Sequence, residues 1–229
     1  MIKAVLFDAL DTLFLAYPDR VSMYQRIVQE TCGLITTHEE MALAWGSVLA
    51  ETEAAAKVSC QQTDSTGKAW LGFNARVLAK LGYTGDCEEK GKLVKFESWS
   101  NPDNYRLYPD VLPALTALQK LGIRIGCVSN EDGHLGSFFT KFGIPEYFEL
   151  ILTSEQVGCE KPSPQIFEKA LSQLGLEPSE VIFVGDSLIG DYQGSEAVGM
   201  KPLLIDRDEK VTDDSVQRIK SLTEIEKFL

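Results

Sequence analysis

The sequence lacks long hydrophobic runs, a surplus of basic residues and a signal-peptide pattern. No stretch reaches the roughly 18 consecutive apolar residues that a membrane-spanning helix needs. The chain passes from Met1 almost directly into a strand pattern, so we expect no signal peptide. Lysine and arginine number 22 against 34 acidic residues, and the net charge of −12 argues against a nucleic-acid or anionic-membrane partner.

The cysteines show no metal-binding pattern. They are odd in number and widely spaced, at Cys32, Cys60, Cys87, Cys127 and Cys159. Such a set is typical of free thiols in a reducing compartment, so we expect a cytoplasmic protein. The sequence also contains no internal repeat and no low-complexity tract.

Short β-rich runs alternate with helical patterns in most of the chain. The predicted strands are Ile2–Phe7, Ile123–Val128, Glu149–Thr153, Val181–Gly185 and Pro202–Ile205. The predicted helices that accompany them are Val111–Leu121, Gly136–Phe142, Pro164–Leu174 and Asp191–Val198. Alternation of strands and helices predicts an α/β fold with a parallel sheet.

The interval from residue 17 to residue 100 has a different character, because it contains successive helical patterns and no convincing strand. The predicted helices are Val21–Thr31, Glu39–Val58, Lys68–Leu81 and Cys87–Phe96. Roughly 85 residues far exceed an ordinary connection between one strand and the next. We therefore predict an all-α subdomain at residues 17–100, inserted into an α/β core made of residues 1–16 and 101–229.

Polar side chains follow four of the predicted strands. Asp8 follows KAVLF, and Asp186 follows VIFVG. Ser129 and Asn130 follow IRIGCV, and Lys161 lies a short loop beyond ELILT. Each residue alone is compatible with a turn, a helix cap or a surface charge. Ligands of open parallel sheets bind beyond the carboxyl ends of the strands, so the four positions together predict a site at this edge.

The same segments resemble the motifs of the haloacid dehalogenase-like hydrolase superfamily along the whole chain. FDALDTL resembles the first motif, VSN the second, EKPSPQIF the third and VGDSLIGD the fourth. The helical insert is similar to the first-type cap of that family. The resemblance implies a doubly wound, Rossmann-like parallel sheet with its first strand central, and a mobile cap over its carboxyl edge.

The resemblance also implies a hydrolase whose nucleophile is Asp8 and whose intermediate is covalent. An aspartate with an ordinary pKa of about 3.9 is ionised at neutral pH, so it needs no activating base. Mg²⁺ held by Asp8, the backbone carbonyl of Leu10 and Asp186 would offset the repulsion between this carboxylate and an anionic substrate.

The remaining motif residues have supporting roles in this interpretation. Lys161 would add positive charge beside the nucleophile and the transferred group. Ser129 and Asn130 would hold phosphoryl oxygens of the substrate. Asp191, five residues after Asp186, is expected to orient Lys161 or a metal-bound water rather than to bind the metal directly.

Leu10 departs from the pattern of the family's phosphatases, which have a second aspartate at this position. That aspartate acts as general acid and then as general base, work that is typically worth ~10²–10⁴ in rate. Asp11 is the next residue, but a shift of one residue turns a side chain to the opposite face of extended backbone. The family commonly has glycine there. Asp11 is therefore expected to cap a turn, and its use as a substitute acid, which requires a remodelled loop, stays an alternative.

Two rival interpretations remain open at this point. True 2-haloacid dehalogenases also lack the second aspartate, since a halide leaving group needs no proton. They use no metal, however, and lack the acid equivalent to Asp186, which favours phosphoryl chemistry here. A binding or regulatory protein with little turnover is the third possibility, because a fold does not establish activity.

The sequence thus predicts a Mg²⁺-dependent phosphatase that acts on a small phosphorylated metabolite as a monomer or homodimer. No nucleic acid and no membrane are expected as partners. Substrate choice would depend on insert residues such as Tyr17, Arg20, Tyr24 and Arg76.

Overall fold

The computed structural model describes residues 1–60, 72–131 and 133–229, without the side chains of residues 53 and 56–60. The strands are β1 (Ala4–Phe7), β2 (Phe14–Ala16), β3 (Tyr105–Leu107), β4 (Arg124–Ser129), β5 (Leu150–Thr153), β6 (Val181–Gly185), β7 (Lys201–Ile205) and β8 (Arg218–Ile219). The α-helices are α1 (Arg20–Cys32), α2 (His38–Cys60), α3 (Phe73–Lys80), α4 (Cys87–Ser100), α5 (Val111–Lys120), α6 (Leu135–Lys141), α7 (Ser154–Val157), α8 (Pro164–Leu174) and α9 (Gly194–Ala197). A π-helical segment, Leu188–Gln193, leads directly into α9. None of the described helices is long and apolar enough to cross a bilayer.

The main sheet has six strands in the order β5-β4-β1-β6-β7-β8. Every pairing between these neighbours is parallel. Phe7 of β1 pairs with Cys127 of β4 on one side and with Val184 of β6 on the other. The carboxyl ends of these three parallel strands therefore lie at one edge of the sheet. The predicted parallel α/β sheet with a central first strand is confirmed.

The central strands are buried along their whole length, as parallel strands covered on both faces should be. All residues of β1 and β6 are buried. On one face Leu6, Val128 and Phe183 pack in a cluster with Ile166 and Phe167 of α8. This apolar core holds the strands in a fixed register, and so it fixes the points at which the chain leaves the sheet.

Several observed elements depart from the predicted ones. The helix predicted at Asp191–Val198 begins earlier, at Leu188, as a π-helical turn. The helix predicted at Lys68–Leu81 lies partly outside the described residues, and its described part is α3. Strands β2, β3 and β8 were not predicted, because segments of two or three residues carry no periodicity.

The chain divides into two compact units, one made of residues 1–15 and 107–229 and the other of residues 16–106. The chain crosses between them within β2 and β3, which form a separate two-stranded sheet. These crossings differ slightly from the boundaries expected at residues 16/17 and 100/101.

The unit of residues 16–106 has an aromatic centre and closely packed helices. The Trp45 ring lies 6.2 Å from the Tyr24 ring and 5.8 Å from the Phe73 ring. Helices α3 and α4 approach so closely that a Cβ atom at Gly91 would lie 2.7 Å from the backbone nitrogen of Ala75. Glycine is thus required at the point where these two helices meet.

Candidate active site

Asp8 is the first residue beyond β1 and lies at the carboxyl edge of the main sheet. Its backbone N–H donates to the Val184 carbonyl at 2.9 Å, which extends the pairing of β1 with β6 by one residue. Its side chain is nearly buried. The Lys161 ammonium donates to Asp8 Oδ1 at 2.6 Å, and the Ser129 hydroxyl lies 3.5 Å from the same oxygen. The structure therefore brings together Asp8, which follows β1, Ser129, which ends β4, and Lys161, which lies in a loop beyond β5.

Lys161 lies between two carboxylates in the protein interior. Its ammonium is 2.6 Å from Asp8 Oδ1 and 2.6 Å from Asp191 Oδ1, and its side chain is only 3% exposed. Burial alone would lower the pKa of Lys161, but the charges of Asp191 and Asp8 outweigh burial and raise it above the ordinary lysine value. Lys161 is therefore a permanent cation at neutral pH, in contact with the carboxylate of Asp8.

The pKa of Asp8 differs from the ordinary value assumed from the sequence. Burial raises the pKa of Asp8 to about 6, with the Lys161 charge opposing this shift and the Asp191 charge adding to it. Asp8 is still mainly ionised at neutral pH. A bound cation would lower this pKa, because a nearby positive charge favours the carboxylate form.

Asn130 binds the backbone of Lys161 with both polar atoms of its side chain. The Lys161 backbone N–H donates to Asn130 Oδ1 at 2.7 Å, and Asn130 Nδ2 donates to the Lys161 carbonyl at 2.9 Å. This reciprocal pair holds the loop that carries the lysine against the end of β4. The sequence suggested a substrate contact for Asn130 and gave no sign of this clamp, which only the fold brings about.

Asp191 is positioned by the π-helical segment that follows β6. Its Oδ2 accepts a hydrogen bond from the Ser187 backbone N–H at 2.9 Å, while Oδ1 faces Lys161. A Cβ atom at Gly185 would lie 2.3 Å from the Asp191 carboxyl group. The glycine before Asp186 is therefore required for Asp191 to reach the lysine.

Asp8, Asp186 and Asp191 offer carboxylate oxygens that lie within 4.8 Å of one another. Desolvation by the surrounding protein raises the pKa of Asp186 well above its usual value. The negative charges of Asp8, Asp11 and Asp191 raise it further. Asp186 nevertheless remains exposed on one side. Converging carboxylates with one solvent-facing member suit a hard divalent cation with oxygen ligands, since such a cation removes the mutual repulsion.

Leu10 and Asp11 lie in a tight turn directly after Asp8. The N–H groups of Leu13 and Phe14 donate to the Ala9 carbonyl at 2.8 and 3.1 Å, and the Asp11 N–H donates to the Phe14 carbonyl at 2.8 Å. Asp11 has a φ of 62°, in the left-handed region that favours glycine. Leu10 is buried. The apolar side chain of Leu10 thus belongs to the turn that directly follows Asp8.

Tyr24, Arg76 and Tyr17, which are insert residues named from the sequence, contact other residues of the unit of residues 16–106. Tyr24 is buried, and its hydroxyl accepts a hydrogen bond from Trp99 Nε1 at 3.2 Å. Arg76 donates to Thr52 Oγ1 at 2.7 Å. Tyr17 is half exposed, with the Arg106 guanidinium 4.1 Å from the centre of its ring.

Comparisons with known proteins show which sequences are similar to this chain. A sequence model described as haloacid dehalogenase-like hydrolase matches residues 2–199. A mouse protein named haloacid dehalogenase-like hydrolase domain-containing protein 3 is 41% identical over 110 residues, which are 48% of this chain and 44% of the mouse protein. The glyceraldehyde 3-phosphate phosphatase of Methanopyrus kandleri is 28% identical over 98% of this chain and 97% of that protein.

Solved structures show the same architecture. The magnesium-bound HAD-hydrolase YfnB from Bacillus subtilis superimposes with a TM-score of 0.83, over 100% of this chain and 98% of that one. Its sequence identity is 18%, so this match bears on the fold alone. Since the family model spans most of the sequence and the sheet carries the four motifs at one edge, the chain belongs to the haloacid dehalogenase-like hydrolases.

Proposed function

We propose that this hydrolase is a Mg²⁺-dependent phosphatase that acts on a small phosphorylated molecule through an aspartyl-phosphate intermediate on Asp8. The observation that carries the proposal is the Asp8–Lys161–Asp191 triad beside Asp186. A buried ammonium 2.6 Å from the nucleophile suits a dianionic phosphoryl group, because it offsets the charge of both. The similarity to a phosphatase along nearly the whole chain supports the same chemistry.

The reaction has two displacement steps at phosphorus. In the first, an Asp8 carboxylate oxygen forms a bond to phosphorus, and the oxygen of the leaving group departs with its electron pair. In the second, water attacks the phosphorus, the bond to Asp8 breaks, and inorganic phosphate leaves. Lys161 and the Ser129 hydroxyl stabilise the negative charge on the transferred oxygens in both steps.

The carboxylates of Asp8 and Asp186 and the Leu10 carbonyl would hold the metal, with Asp191 orienting Lys161. When bound, Mg²⁺ supplies positive charge that lets an anionic substrate approach an anionic nucleophile. The convergence of the Asp8, Asp186 and Asp191 carboxylates within 4.8 Å of one another supports this proposal, because a bound cation would relieve their mutual repulsion.

The helical unit of residues 16–106 is proposed to be the cap that selects the substrate. It is inserted directly after the nucleophile turn, and its two chain crossings lie in β2 and β3. An insert at this position is suited to change the access to Asp8 without changing the sheet that holds the reacting groups.

A direct test measures the release of inorganic phosphate from an aryl phosphate by wild-type protein and by Asp8→Asn, with Mg²⁺ and with EDTA. We expect turnover only for the wild-type protein with Mg²⁺. Turnover that survives in Asp8→Asn would contradict the assignment of the nucleophile. Metal-independent chloride release from 2-chloropropionate, without phosphate release, would instead establish the dehalogenase alternative.

A further inference from the structure

Arg207 is a largely buried cation outside the group of residues described so far. It follows β7, and its side chain is 18% exposed. The two terminal nitrogens of its guanidinium lie 2.7 and 3.1 Å from the two carboxylate oxygens of Asp110. Its Nη2 atom also donates to the backbone carbonyl of Thr12 at 3.0 Å. The guanidinium lies 3.7 Å from the centre of the Tyr108 ring, in a cation–π contact.

These contacts join the two segments of the core that flank the insert. Thr12 precedes the first chain crossing, at residues 15/16, and Tyr108 and Asp110 follow the second, at residues 106/107. The Tyr108 backbone N–H also donates to the Leu13 carbonyl at 3.0 Å. Arg207 therefore binds the chain just before it leaves the α/β unit and just after it returns.

Asp110 provides a rigid support for the guanidinium. Its Oδ2 atom also accepts hydrogen bonds from the Ser221 hydroxyl at 3.0 Å and from the Leu222 backbone N–H at 2.9 Å. The carboxylate is thus held by the C-terminal segment and holds Arg207 in turn. A planar guanidinium can donate hydrogen bonds to both oxygens of this carboxylate and to a carbonyl at the same time. A lysine ammonium is a compact point charge and cannot reproduce this planar arrangement of donors.

The Thr12 carbonyl belongs to the turn that carries Leu10 and Asp11. Three hydrogen bonds close this turn, from the N–H groups of Asp11, Leu13 and Phe14. Asp11 occupies the left-handed region in it without being glycine, a conformation that surrounding contacts must maintain. Arg207 supplies such a contact at the end of the turn that lies away from the nucleophile.

We propose that Arg207 is a positioning residue that fixes the turn of residues 9–14 beside Asp8 by holding the Thr12 carbonyl against Asp110. Its effect on catalysis rests on the proposed phosphatase function. Its effect on the turn does not, because the ordering of these backbone amides can be measured in the protein without substrate or metal.

The test compares Arg207→Lys with Arg124→Lys. Arg124 makes a two-pronged contact with Glu149, at 2.7 and 2.5 Å, on β4 and away from the turn, so it is a matched control. We expect hydrogen exchange at the amides of Asp11, Leu13 and Phe14 to become about tenfold faster in Arg207→Lys and to stay unchanged in Arg124→Lys. Exchange at wild-type rates in a folded Arg207→Lys protein overturns the proposal. If that variant does not fold, Asp110→Asn decides by the same comparison, because it removes the charge that supports Arg207.

The kinetic arm uses aryl phosphate turnover with Mg²⁺. In Arg207→Lys we expect kcat to fall about tenfold or more, with KM within about threefold of the wild-type value. Arg124→Lys should keep the wild-type kcat. Faster exchange with an unchanged kcat would overturn the positioning role. A wild-type protein without turnover would contradict the proposed function, and the exchange arm would still decide the role of Arg207.

Discussion

At the residue scale, the environment of Lys161 decides what its removal does. The ammonium is 2.6 Å from two buried carboxylates, those of Asp8 and Asp191. Substitution leaves two like charges in the interior, which is much more costly than losing an exposed pair. We therefore expect Lys161 to contribute both to the proposed reactivity of Asp8 and to the stability of the fold.

Lys161→Met should inactivate the protein and lower its free energy of unfolding by about 3 kcal/mol at neutral pH. Urea denaturation followed by circular dichroism measures this change. The matched control is Lys3→Met, because Lys3 pairs with Glu180 at 2.5 Å on the surface, with 55% of its side chain exposed. The control should lose at most about 1 kcal/mol. Equal losses for both variants would contradict the expected repulsion between the buried Asp8 and Asp191 carboxylates in the absence of Lys161.

The leucine at position 10 predicts that the rate of phosphate ester hydrolysis depends unusually steeply on the leaving group. Without a proton donor at this position, the leaving oxygen departs as an anion, so aryl and acyl phosphates should react much faster than alkyl phosphates. Leu10→Asp should raise alkyl phosphate turnover more than aryl phosphate turnover, by up to ~10²–10⁴. Steady-state kinetics on a series of phosphate esters with different leaving-group pKa values measures the effect.

Asp11→Asn is the control for this prediction. A loss of activity as large as that of Asp8→Asn would show that Asp11 acts as the proton donor in place of Leu10. Equal rates for alkyl and aryl phosphates in wild-type protein, with Asp11→Asn unaffected, would mean that an acid elsewhere protonates the leaving group.

At the element scale, the π-helical segment after β6 depends on one glycine. A Cβ atom at Gly185 would lie 2.3 Å from the Asp191 carboxyl group, so a side chain there must displace Asp191 from Lys161. Gly185→Ala should cost about 1–3 kcal/mol of stability and lower kcat at least about tenfold. Thermal unfolding and aryl phosphate kinetics measure the two effects.

Gly136→Ala is the matched control within a helix of the same unit. A Cβ atom at Gly136, in α6, meets no atom within 4 Å. Alanine there should leave kcat unchanged and stabilise the protein slightly, since it is the better helix former. An active Gly185→Ala variant would show that the position of Asp191 matters less than its contacts with Lys161 suggest.

The sequence predicted the elements and the strand-end residues well, because both depend on local patterns. Apolar runs ending at Asp8 and Asp186 marked strands whose carboxyl ends meet in any parallel sheet. The clamp of Asn130 on the Lys161 backbone was not predictable, since it joins residues 31 positions apart through the geometry of the folded loop. The pKa of about 6 at Asp8 likewise depends on burial, which no spacing reveals.

At the scale of the whole molecule, Asp110 lies just after the insert and binds the C-terminal segment. Its carboxyl group makes the free energy of unfolding depend on pH. Burial acts to raise the pKa of Asp110, but hydrogen bonds from Arg207, Leu222 and Ser221 lower it below the ordinary value. A carboxyl with a lowered pKa in the folded state contributes stability above its unfolded pKa, about 3.9. That contribution disappears as the pH falls through the lower, folded-state pKa.

Asp110→Asn should therefore lower the free energy of unfolding by about 1–3 kcal/mol at pH 7, where the wild-type carboxylate accepts charge-assisted hydrogen bonds. The difference between the two proteins should shrink as the pH is lowered below the ordinary aspartate pKa. Urea unfolding of both proteins across this pH range measures it. A difference that stays constant or grows towards acid pH would contradict the assigned direction of the pKa shift.

The measurement that tests the account most directly is peptide mass spectrometry of protein quenched in acid during turnover of an aryl phosphate with Mg²⁺. Because Leu10 removes the usual base as well as the acid, hydrolysis of the intermediate should be slow and the intermediate should accumulate. We expect one added phosphoryl group on the peptide that contains Asp8, absent with EDTA and absent in Asp8→Asn. Turnover that leaves this peptide unmodified, or phosphorylation that persists in Asp8→Asn, would contradict it.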